Sequence, residues 1–442
     1  MQYSDEHLRY LRLLSQKYQT VAAAASEAIR IEALLRLPKG TEHFMSDLHG
    51  EHEAFVHILN SASGVIREKI DTVLGTDVPA EERAELATLV YYPHQKLPEL
   101  KARQQDLDGW YRLTLLRLID LCRFVSSKHT RDHVRRCLPQ NCGYILDELL
   151  HAHFEDHDKD QYYGEIIESI LRYDRADAYI VRFCEVIKRL AVDRLHIVGD
   201  LFDRGPRPDR ILDSLMAHHQ VDIQWGNHDV VWMGAAAGSP LCIMTVLKTT
   251  LAYNNLDTLE GGYGISLRQL ERFAQNTYAD SDVSRWMPHA DPRTASGDLT
   301  ATARMHKAVT VMMLKLEAQV IARNPDFALQ GRDFLNHIDF AAGTVDYHST
   351  VYPLLDCDFP TVTPADPTAL TAEEQHILDG LVRSFAESER LQRHVQFLYA
   401  HGAFYKICNG NLLYHGAVPM TEDGAFAAIR FEGVARSGKQ LF

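Results

Sequence analysis

The stretch HIVGDLFDRGPRPDR, residues 196–210, joins an apolar run to a densely charged turn. Ile197 and Val198 are typical of a buried strand, yet Gly199-Asp200 and Asp203-Arg204-Gly205 follow them at once. Charged groups next to a buried strand are costly unless they are paired, hydrogen-bonded or bound to a metal ion. Two carboxylates and a guanidinium in one tight turn therefore indicate a functional site at the end of a strand.

Outward from this turn, the sequence predicts a strand–helix–strand unit. Strands are predicted over 194–199 and over 221–225, VDIQW, with the helical segment DRILDSLMAHHQ between them. A third short strand is predicted in HFMSDLHG, 43–50. The segment YKICNGNLLYHG, 405–416, is typical of a hairpin, because Asn409-Gly410 readily adopts the positive φ angles of a tight turn.

Most of the remaining chain has helical periodicity. The predicted helical stretches are residues 1–40, which Pro38-Lys39-Gly40 ends, residues 51 to about 190, and residues 230–340. A capping box, Thr371-x-x-Glu374, predicts a helix to about residue 400. The run HAHFEDHDKD, 151–160, is interpreted as a solvated helix end rather than a metal site, because neither a strand nor glycines would fix its ligands. The predicted fold class is α/β.

Composition narrows the class of protein. The 442 residues carry 46 Lys and Arg against 60 Asp and Glu, a net charge of −14, which argues against a general nucleic-acid binder. The 7 cysteines form no CxxC pair and the N-terminus has no apolar signal segment, so a reduced, cytoplasmic location is expected. The uncharged run 230–247 is interrupted by Gly238-Ser239-Pro240, and it predicts buried helices rather than a membrane span.

Polar residues follow four apolar runs, each at the end of a predicted strand. The four motifs are Ser46-Asp47-Leu48-His49-Gly50, Gly199-Asp200 with Asp203-Arg204-Gly205, Gly226-Asn227-His228-Asp229, and His415-Gly416. Their Asp, Asn and His side chains suit Mn²⁺, Fe or Zn²⁺, and an Asp can bridge two ions. The carboxyl ends of neighbouring parallel strands meet in one crevice, so these ligands are expected to converge. Asp47 and His49 are two apart and would lie on one side of an extended segment.

Each motif has a simpler structural interpretation when it is taken alone. DLHG fits a strand-to-helix turn with an N-cap Asp, GNHD fits a turn with a left-handed Asn, and His415 fits a half-exposed histidine at a strand end. GDLFDRG is harder to explain structurally, since it combines a turn, two acids and an Arg. The occurrence of all four motifs in order, at strand ends, favours a metal site.

Together, DLHG, GDLFDRG, GNHD and YHG resemble the motifs of the calcineurin-like metallophosphoesterases, in the branch of the serine/threonine phosphoprotein phosphatases. Longer blocks such as LPKGTEHFMSDLHGEHEAFVHILN and FLYAHGAFYKICNGNLLYHGAVPM are similar to the class III fructose-1,6-bisphosphatases of bacteria. The resemblance implies a metallophosphoesterase β-sandwich flanked by helices. It also implies a hydrolase that removes the 1-phosphate of fructose 1,6-bisphosphate in gluconeogenesis, using a binuclear Mn²⁺ site that other divalent metals could also fill.

On this resemblance, residues 1–60, 190–230 and 400–425 form the metallophosphoesterase core. Residues 61–189 are a helical insertion, and residues 231–399 are a second helical insertion or cap. The motifs stand much closer together in protein phosphatases, and insertions of this size suit a small sugar bisphosphate. A phosphatase acting on phosphoproteins or dinucleotide polyphosphates is the alternative. The sequence predicts neither a nucleic-acid nor a membrane partner and is compatible with a homo-oligomer.

The resemblance also implies roles for single residues. Its implied metal ligands are Asp47 and His49 for one ion, Asp200 as the bridge, and Asn227 and His415 for the other ion. Water acidified by the ions would attack phosphorus. Arg204 would bind the substrate phosphate, and His228 would protonate the leaving oxygen while Asp203 orients it. Asp229 stands where many relatives have Glu and is assigned only a supporting role.

Members of the resembled family extend further than this chain and carry another Gly-His motif, which supplies a last histidine to the second metal. The sequence has no such motif after His415 and ends at Phe442. We therefore expect a C-terminally truncated chain with an incomplete second sheet and a weakened second metal site. A catalytically impaired remnant is a third interpretation of the function.

Overall fold

The computed structural model describes residues 4–151, 160–289 and 297–442. The chain divides into two compact units, the first containing Met1–Glu42 and Asn60–Asp193 and the second containing His43–Leu59 and Arg194–Phe442. Residues 152–159, the centre of the run HAHFEDHDKD, lie outside the described residues. Within the described ranges, no helix combines the length and the apolar character that crossing a bilayer requires.

Helices make up most of the first unit and a large part of the second. Their bounds are α1 Asp5–Lys17, α2 Val21–Leu34, α3 His52–Ser61, α4 Val65–Leu74, α5 Ala80–Tyr91, α6 Pro93–Lys101, α7 Leu107–Ser126, α8 Arg131–Cys137, α9 Gly143–His151, α10 Asp160–Arg172, α11 Ala176–Ala191, α12 Pro208–Ala217, α13 Asn227–Ala236, α14 Pro240–Ala252, α15 Arg268–Thr277, α16 Leu299–Arg323, α17 Ala372–Glu387, α18 Glu389–His401 and α19 Gly438–Leu441. The helical stretch predicted over 1–40 is two helices, because the Thr20 side chain accepts a hydrogen bond from the Ala23 N–H (3.1 Å) and starts α2.

The strands are short. Their bounds are β1 Glu42–Met45, β2 Arg194–Val198, β3 Val221–Gln224, β4 Ile338–Asp339, β5 Thr344–Tyr347, β6 Thr350–Pro353, β7 Gly402–Ala403, β8 Tyr405–Cys408, β9 Asn411–Tyr414, β10 Ile429–Phe431 and β11 Val434–Arg436. They form one sheet in the order β1-β2-β3-β7, a second of β4, β5 and β6, and the hairpins β8-β9 and β10-β11. The observed class is mixed α/β, as predicted. The sequence does not predict β4–β6 or β10-β11, which are too short to show a clear alternation of apolar and polar residues.

The first unit has an apolar core built by its helices. Helix α7 places Leu115, Leu118 and Cys122 in this core, and α11 contributes Phe183 and Ile187. All five side chains are fully buried, and their three- and four-residue spacing puts the members from each helix on one face. The apolar residues whose spacing predicts helices in this part of the sequence are therefore the residues that the structure buries.

The strand–helix–strand unit predicted around residues 194–225 is confirmed. Strands β2 and β3 are parallel, with Leu195 opposite Val221 and Ile197 opposite Ile223, and α12 connects them. Leu195, Ile197 and Ile223 are fully buried in the core of the second unit. Because the two strands run in the same direction, the polar motifs that follow them start at the same edge of the sheet.

The predicted hairpin is also confirmed, and a charged contact joins it to the sheet. Strands β8 and β9 are antiparallel, and Asn409 (φ 49°) and Gly410 (φ 84°) form the turn. Lys406 Nζ on β8 donates to Asp222 Oδ2 on β3 at 2.8 Å, and Asp222 Oδ1 lies 2.7 Å from His196 Nδ1 on β2. This contact fixes the position at which the chain leaves β9 and reaches the His415 motif.

A buried ion pair joins α16 to α17. Lys315 Nζ donates to Glu374 Oε2 (2.8 Å) and to the Thr361 carbonyl oxygen (2.7 Å), and both charged side chains are fully buried. Glu374 also completes the predicted capping box, since its carboxylate accepts the Thr371 N–H at 2.8 Å. One carboxylate thus serves both the start of α17 and the ammonium group of α16.

Glu374→Gln is expected to destabilise the second unit. The amide keeps the shape of the side chain but leaves the Lys315 ammonium buried without a counter-charge, and removing one member of a buried pair costs about 3–5 kcal/mol. Denaturant unfolding measures the loss. The neighbouring Glu373→Gln is the matched control: Glu373 is exposed, so its unfolding free energy should change by no more than about 0.5 kcal/mol. Equal stability of the two variants would contradict the role given to the pair.

Candidate metal centre and active site

The backbone after β1 and β2 adopts conformations that are rare for L-amino acids. Asp47 has a φ of 54°, His49 of 45° and Asp200 of 55°. The prediction that Asp47 and His49 lie on an extended segment is wrong, because β1 ends at Met45 and the chain then turns. Non-glycine residues in such conformations cost about 1–3 kcal/mol each and are concentrated at functional sites.

The turn after β1 and the turn after β2 hold each other in place. The His49 N–H donates to the Asp200 carbonyl and the Gly50 N–H donates to the Leu201 carbonyl, both at 2.9 Å. A Cβ atom on Gly50 would stand 2.8 Å from the carbonyl carbon of Gly205, so only glycine allows the two backbones this close. These contacts between segments distant in sequence impose the positive φ angles.

Three side chains from separate motifs meet at this edge of the sheet. Ligand atoms of Asp47, Asp200 and His415 all lie within 4.8 Å of one another. His415 Nε2 is 3.2 Å from Asp200 Oδ2, and His415 Nδ1 is 2.8 Å from the Val198 carbonyl oxygen. Since a carbonyl can only accept, Nδ1 is the donor in this contact, and Nε2 faces the Asp200 carboxylate. The Asp200 side chain is only 7% exposed, whereas that of Asp47 is 54% exposed.

His49 is oriented in the same way. Its Nδ1 lies 3.3 Å from the Phe202 carbonyl oxygen, and its Nε2 lies 3.7 Å from Asp47 Oδ1. Backbone carbonyls therefore orient both His49 and His415 so that Nε2 points towards an aspartate. This is the usual arrangement of metal-binding histidines, in which the second ring nitrogen donates to a carbonyl or a carboxylate.

Asp203, Arg204 and His228 form a second group beside these ligands. Asp203 Oδ2 lies 2.9 Å from Arg204 Nε and 3.5 Å from His228 Nε2, and the Asp203 side chain is 4% exposed. The Arg204 side chain is 59% exposed, so its guanidinium remains open to a ligand. The neighbouring carboxylate and its hydrogen bond raise the pKa of Arg204 further, which keeps this group charged.

Asn227 lies at the start of α13, directly after β3, and its side chain is exposed. The next residue, His228, donates its backbone N–H to Asp200 Oδ1 at 3.2 Å, so the start of this helix is in contact with the aspartate cluster. The His228 and His49 rings meet edge to face with centroids 6.0 Å apart. The third motif thus joins the first two at one edge of the sheet.

Asp229 connects the turns after β2 and β3. Its carboxylate accepts the backbone N–H groups of Asp200 (3.0 Å), Leu201 (2.8 Å) and Gly226 (2.9 Å). Burial raises the pKa of this carboxyl group to about 6, and the charge of Asp200 acts in the same direction, whereas the backbone donors act against it. The supporting role that the sequence suggests for Asp229 agrees with these contacts.

Sequence reasoning missed the residues that support the Arg204 turn from the other side. The Asn255 side chain donates to the Arg204 carbonyl, and Thr258 Oγ1 donates to the Pro206 carbonyl at 2.6 Å. The Arg204 guanidinium carbon lies 5.9 Å from the centre of the Tyr253 ring, within the range of a cation–π contact. The polar run Tyr253-Asn254-Asn255 directly after the apolar helix α14 was a signal of the same kind as the strand-end motifs.

A buried ionic group fixes the far end of the same turn. Asp209 is fully buried, and Arg207 binds it through two hydrogen bonds of 2.9 and 2.7 Å. Arg390 Nη1 of α18 lies 2.9 Å from the same carboxylate. The Arg207 N–H also donates to the Gly50 carbonyl at 3.0 Å, so the group ties this turn to the first motif as well.

The donor set fits a divalent metal ion. Two carboxylates and an imidazole converge, with a second imidazole beside them, and their oxygen and nitrogen atoms are the ligands that first-row divalent ions use. The orientation of both histidine rings by backbone carbonyls fits the same use. Arg204 and His228, next to these ligands, could bind an anion and move a proton.

Comparison with known proteins gives one consistent result. Residues 9–442 match the family model described as Firmicute fructose-1,6-bisphosphatase. A protein of Clostridium novyi (strain NT), named fructose-1,6-bisphosphatase class 3, is 48% identical over 435 residues, which cover 98% of this chain and 65% of the relative. A protein of the same name from Alkaliphilus metalliredigens (strain QYMF) is 47% identical over 439 residues, covering 98% of this chain and 66% of the relative.

A third relative, from Clostridium beijerinckii (strain ATCC 51743 / NCIMB 8052), is 46% identical over 439 residues, 99% of this chain and 66% of its own length. The chain therefore spans just under two thirds of the length of the curated relatives that it matches. No solved structure matches the chain.

Asp229→Asn is expected to weaken divalent metal binding although Asp229 is not itself a ligand. The amide group of asparagine would face backbone donors, which loosens the turn that carries Asp200, and loss of such a supporting contact lowers metal affinity about 10–100-fold. Titration calorimetry with Mn²⁺ measures the change. Asp346→Asn removes the same charge from an exposed side chain on β5 and should leave the affinity unaltered. Equal affinities in the two variants would contradict the role given to Asp229.

Proposed function

The chain belongs to the Firmicute fructose-1,6-bisphosphatase family, and from that premise we propose that it hydrolyses the 1-phosphate of fructose 1,6-bisphosphate, giving fructose 6-phosphate and phosphate. The observation that carries the proposal is the convergence of Asp47, Asp200 and His415 at one edge of the sheet, within 4.8 Å of one another. The names of the class 3 relatives agree with this activity. A calcineurin-like core and a cytoplasmic location in gluconeogenesis are parts of the same proposal.

The proposed cofactor is a pair of Mn²⁺ ions. The proposed ligands are Asp47 and His49 for one ion, bridging Asp200, and Asn227 and His415 for the other. Bound divalent ions supply Lewis-acid polarisation of the phosphate and lower the pKa of a water molecule for attack. The carbonyl-oriented rings of His49 and His415 support the assignment, because they present Nε2 to the aspartates.

Arg204 is proposed to bind the phosphate that is hydrolysed. A guanidinium can donate two parallel hydrogen bonds to phosphate oxygens and stabilise the charge that develops on them. Asp203 holds Arg204 through Nε (2.9 Å), which leaves the terminal nitrogens for the substrate. The exposure of this guanidinium supports the assignment.

His228 is proposed as the general acid. Its Nε2 faces Asp203 at 3.5 Å, so its Nδ1 is the atom that would give a proton to the leaving sugar oxygen. Asp203 acts here as a positioning residue, since it contacts both His228 and Arg204 and is almost completely buried. The two groups that would contact the phosphate ester are therefore held by one carboxylate.

Phosphate release from fructose 1,6-bisphosphate with Mn²⁺ tests the proposed function directly. We expect the purified chain to release one phosphate per molecule and to form fructose 6-phosphate, identified by a coupled assay. Phosphoserine peptides and a dinucleotide polyphosphate are the comparison substrates. Faster release from either of these would replace the proposal with a different phosphatase activity, and no release from any substrate would indicate an impaired chain.

His228→Asn is expected to lower kcat by about 10²–10⁴-fold, because loss of a general acid has an effect of this size. Mn²⁺ affinity and fructose 6-phosphate affinity should stay close to those of the unaltered chain, as His228 is not among the proposed ligands. His376→Asn on the exposed face of α17 is the control and should keep full activity. An unchanged kcat in the His228 variant would remove this residue from the mechanism.

A further inference from the structure

Two histidines and an aspartate of the first unit lie together, and the proposed hydrolysis uses none of them. Ligand atoms of His129, His133 and Asp193 are all within 4.8 Å of one another. The two imidazole rings are stacked, with centroids 4.7 Å apart and an angle of 23° between their planes. All three residues belong to the same compact unit. They form a second place in the chain where potential metal ligands converge.

A cysteine of the same helix lies beside these residues. Thr130 accepts the His133 N–H at 3.2 Å and starts α8, which ends at Cys137. Because residues four apart lie on one face of a helix, the thiol of Cys137 is next to the His133 ring, and its Sγ is 3.7 Å from His133 Nε2. Cys137 is buried. We call His129, His133, Cys137 and Asp193 the α8 cluster.

The Asp193 carboxylate is held in a fixed orientation. Its Oδ2 accepts the Thr41 N–H at 2.6 Å and the Lys128 ammonium group at 2.8 Å, and its own backbone N–H donates to the Thr41 carbonyl at 2.9 Å. Its Oδ1 lies 3.4 Å from His129 Nδ1. The contacts at Oδ2 therefore direct the other carboxylate oxygen towards the two histidines.

His129 is oriented by the backbone. Its Nε2 lies 3.1 Å from the Leu190 carbonyl oxygen of α11, and a carbonyl can only accept, so Nε2 is the donor and Nδ1 faces Asp193. Metal-binding histidines usually donate one ring nitrogen to a carbonyl or a carboxylate in this way. The His129 side chain is 8% exposed, so its ring has little freedom to turn elsewhere.

The separations between donor atoms suit a tetrahedral zinc site. Zinc binds nitrogen and oxygen at about 2.0–2.2 Å and sulfur at about 2.3 Å, so tetrahedral ligands lie about 3.3–3.6 Å from one another. His129 Nδ1 and Asp193 Oδ1 are 3.4 Å apart, and His133 Nε2 and Cys137 Sγ are 3.7 Å apart. Two pairs of donors thus have nearly the spacing that an ion would impose, and small side-chain rotations would bring the pairs together.

We propose that the α8 cluster binds a structural Zn²⁺ ion through His129, His133, Cys137 and Asp193. Imidazole and thiolate ligands favour zinc, whereas carboxylate and water ligands favour Mg²⁺, Ca²⁺ and Mn²⁺. Cys137 binds as the thiolate and releases its proton to solvent when the ion enters. The ion would connect α8 to the segment that follows α11. This site is additional to the proposed Mn²⁺ ligands and does not depend on the proposed function.

The absorption spectrum of the chain loaded with Co²⁺ tests the site, because cobalt replaces zinc and is coloured. After chelator treatment, added Co²⁺ should produce a thiolate-to-cobalt charge-transfer band, which Zn²⁺ then removes. The proposed Mn²⁺ ligands include no cysteine, so ions bound there give no such band. Cys137→Ser should abolish the band, and Cys357→Ser, at an exposed position, should keep it. Absence of the band from the unaltered chain, or its survival in Cys137→Ser, would overturn the proposal.

Zinc content gives a second measurement. His133→Gln should bind one Zn²⁺ fewer per chain than the unaltered protein, since loss of even an outer contact lowers metal affinity about 10–100-fold and His133 is a direct ligand. His94→Gln changes an exposed histidine of the same unit and should keep the full content. Equal zinc content in the two variants would contradict the site. If His133→Gln does not fold, the cobalt spectra of the unaltered chain and of Cys137→Ser decide the question.

Discussion

The carboxylate of Asp229 is the interaction on which the geometry of the candidate site depends. It accepts N–H groups from Asp200 and Leu201, after β2, and from Gly226, after β3. A fully buried carboxylate is stable only when such donors satisfy it, so the two turns must approach each other closely. That approach places Asp200 where His415 can reach it, and it places the start of α13 beside the same aspartate.

A second contact positions the last motif, His415-Gly416. His415 follows a hairpin whose strands do not belong to the parallel sheet, so its position depends on how that hairpin is held. Lys406 meets Asp222 of β3, and Asp222 in turn contacts the buried His196 of β2. The charged contact thus lies among the central strands, while the ligand that it positions lies at their carboxyl end. The site depends on polar contacts within the sheet as much as on apolar packing.

The sequence predicts the parts of the site that local patterns control. Alternation and turn residues predict β2, β3 and the β8-β9 hairpin, and each is present in the structure. The strand-end motifs predict that Asp47, Asp200 and His415 converge, and their ligand atoms do lie close together. The roles of these residues in binding metal stay predictions.

Other features were not predictable because they arise from contacts between distant segments. The positive φ of Asp47 and His49 follows from hydrogen bonding between two turns that lie more than a hundred residues apart. The contact of Arg390 with Asp209 likewise has no local signature. The spacing of apolar residues predicts which face of a helix or strand is buried. It does not predict which polar side chains contact each other.

The left-handed conformations of Asp47, His49 and Asp200 determine how substitutions at these positions affect stability. Glycine would adopt these angles without strain, so replacing any of the three by glycine relieves a local cost of about 1–3 kcal/mol. The same replacement removes a side chain from the candidate site. Selection for stability alone would therefore favour glycine at this edge of the sheet, whereas the proposed metal site needs an acid or an imidazole at each of the three positions.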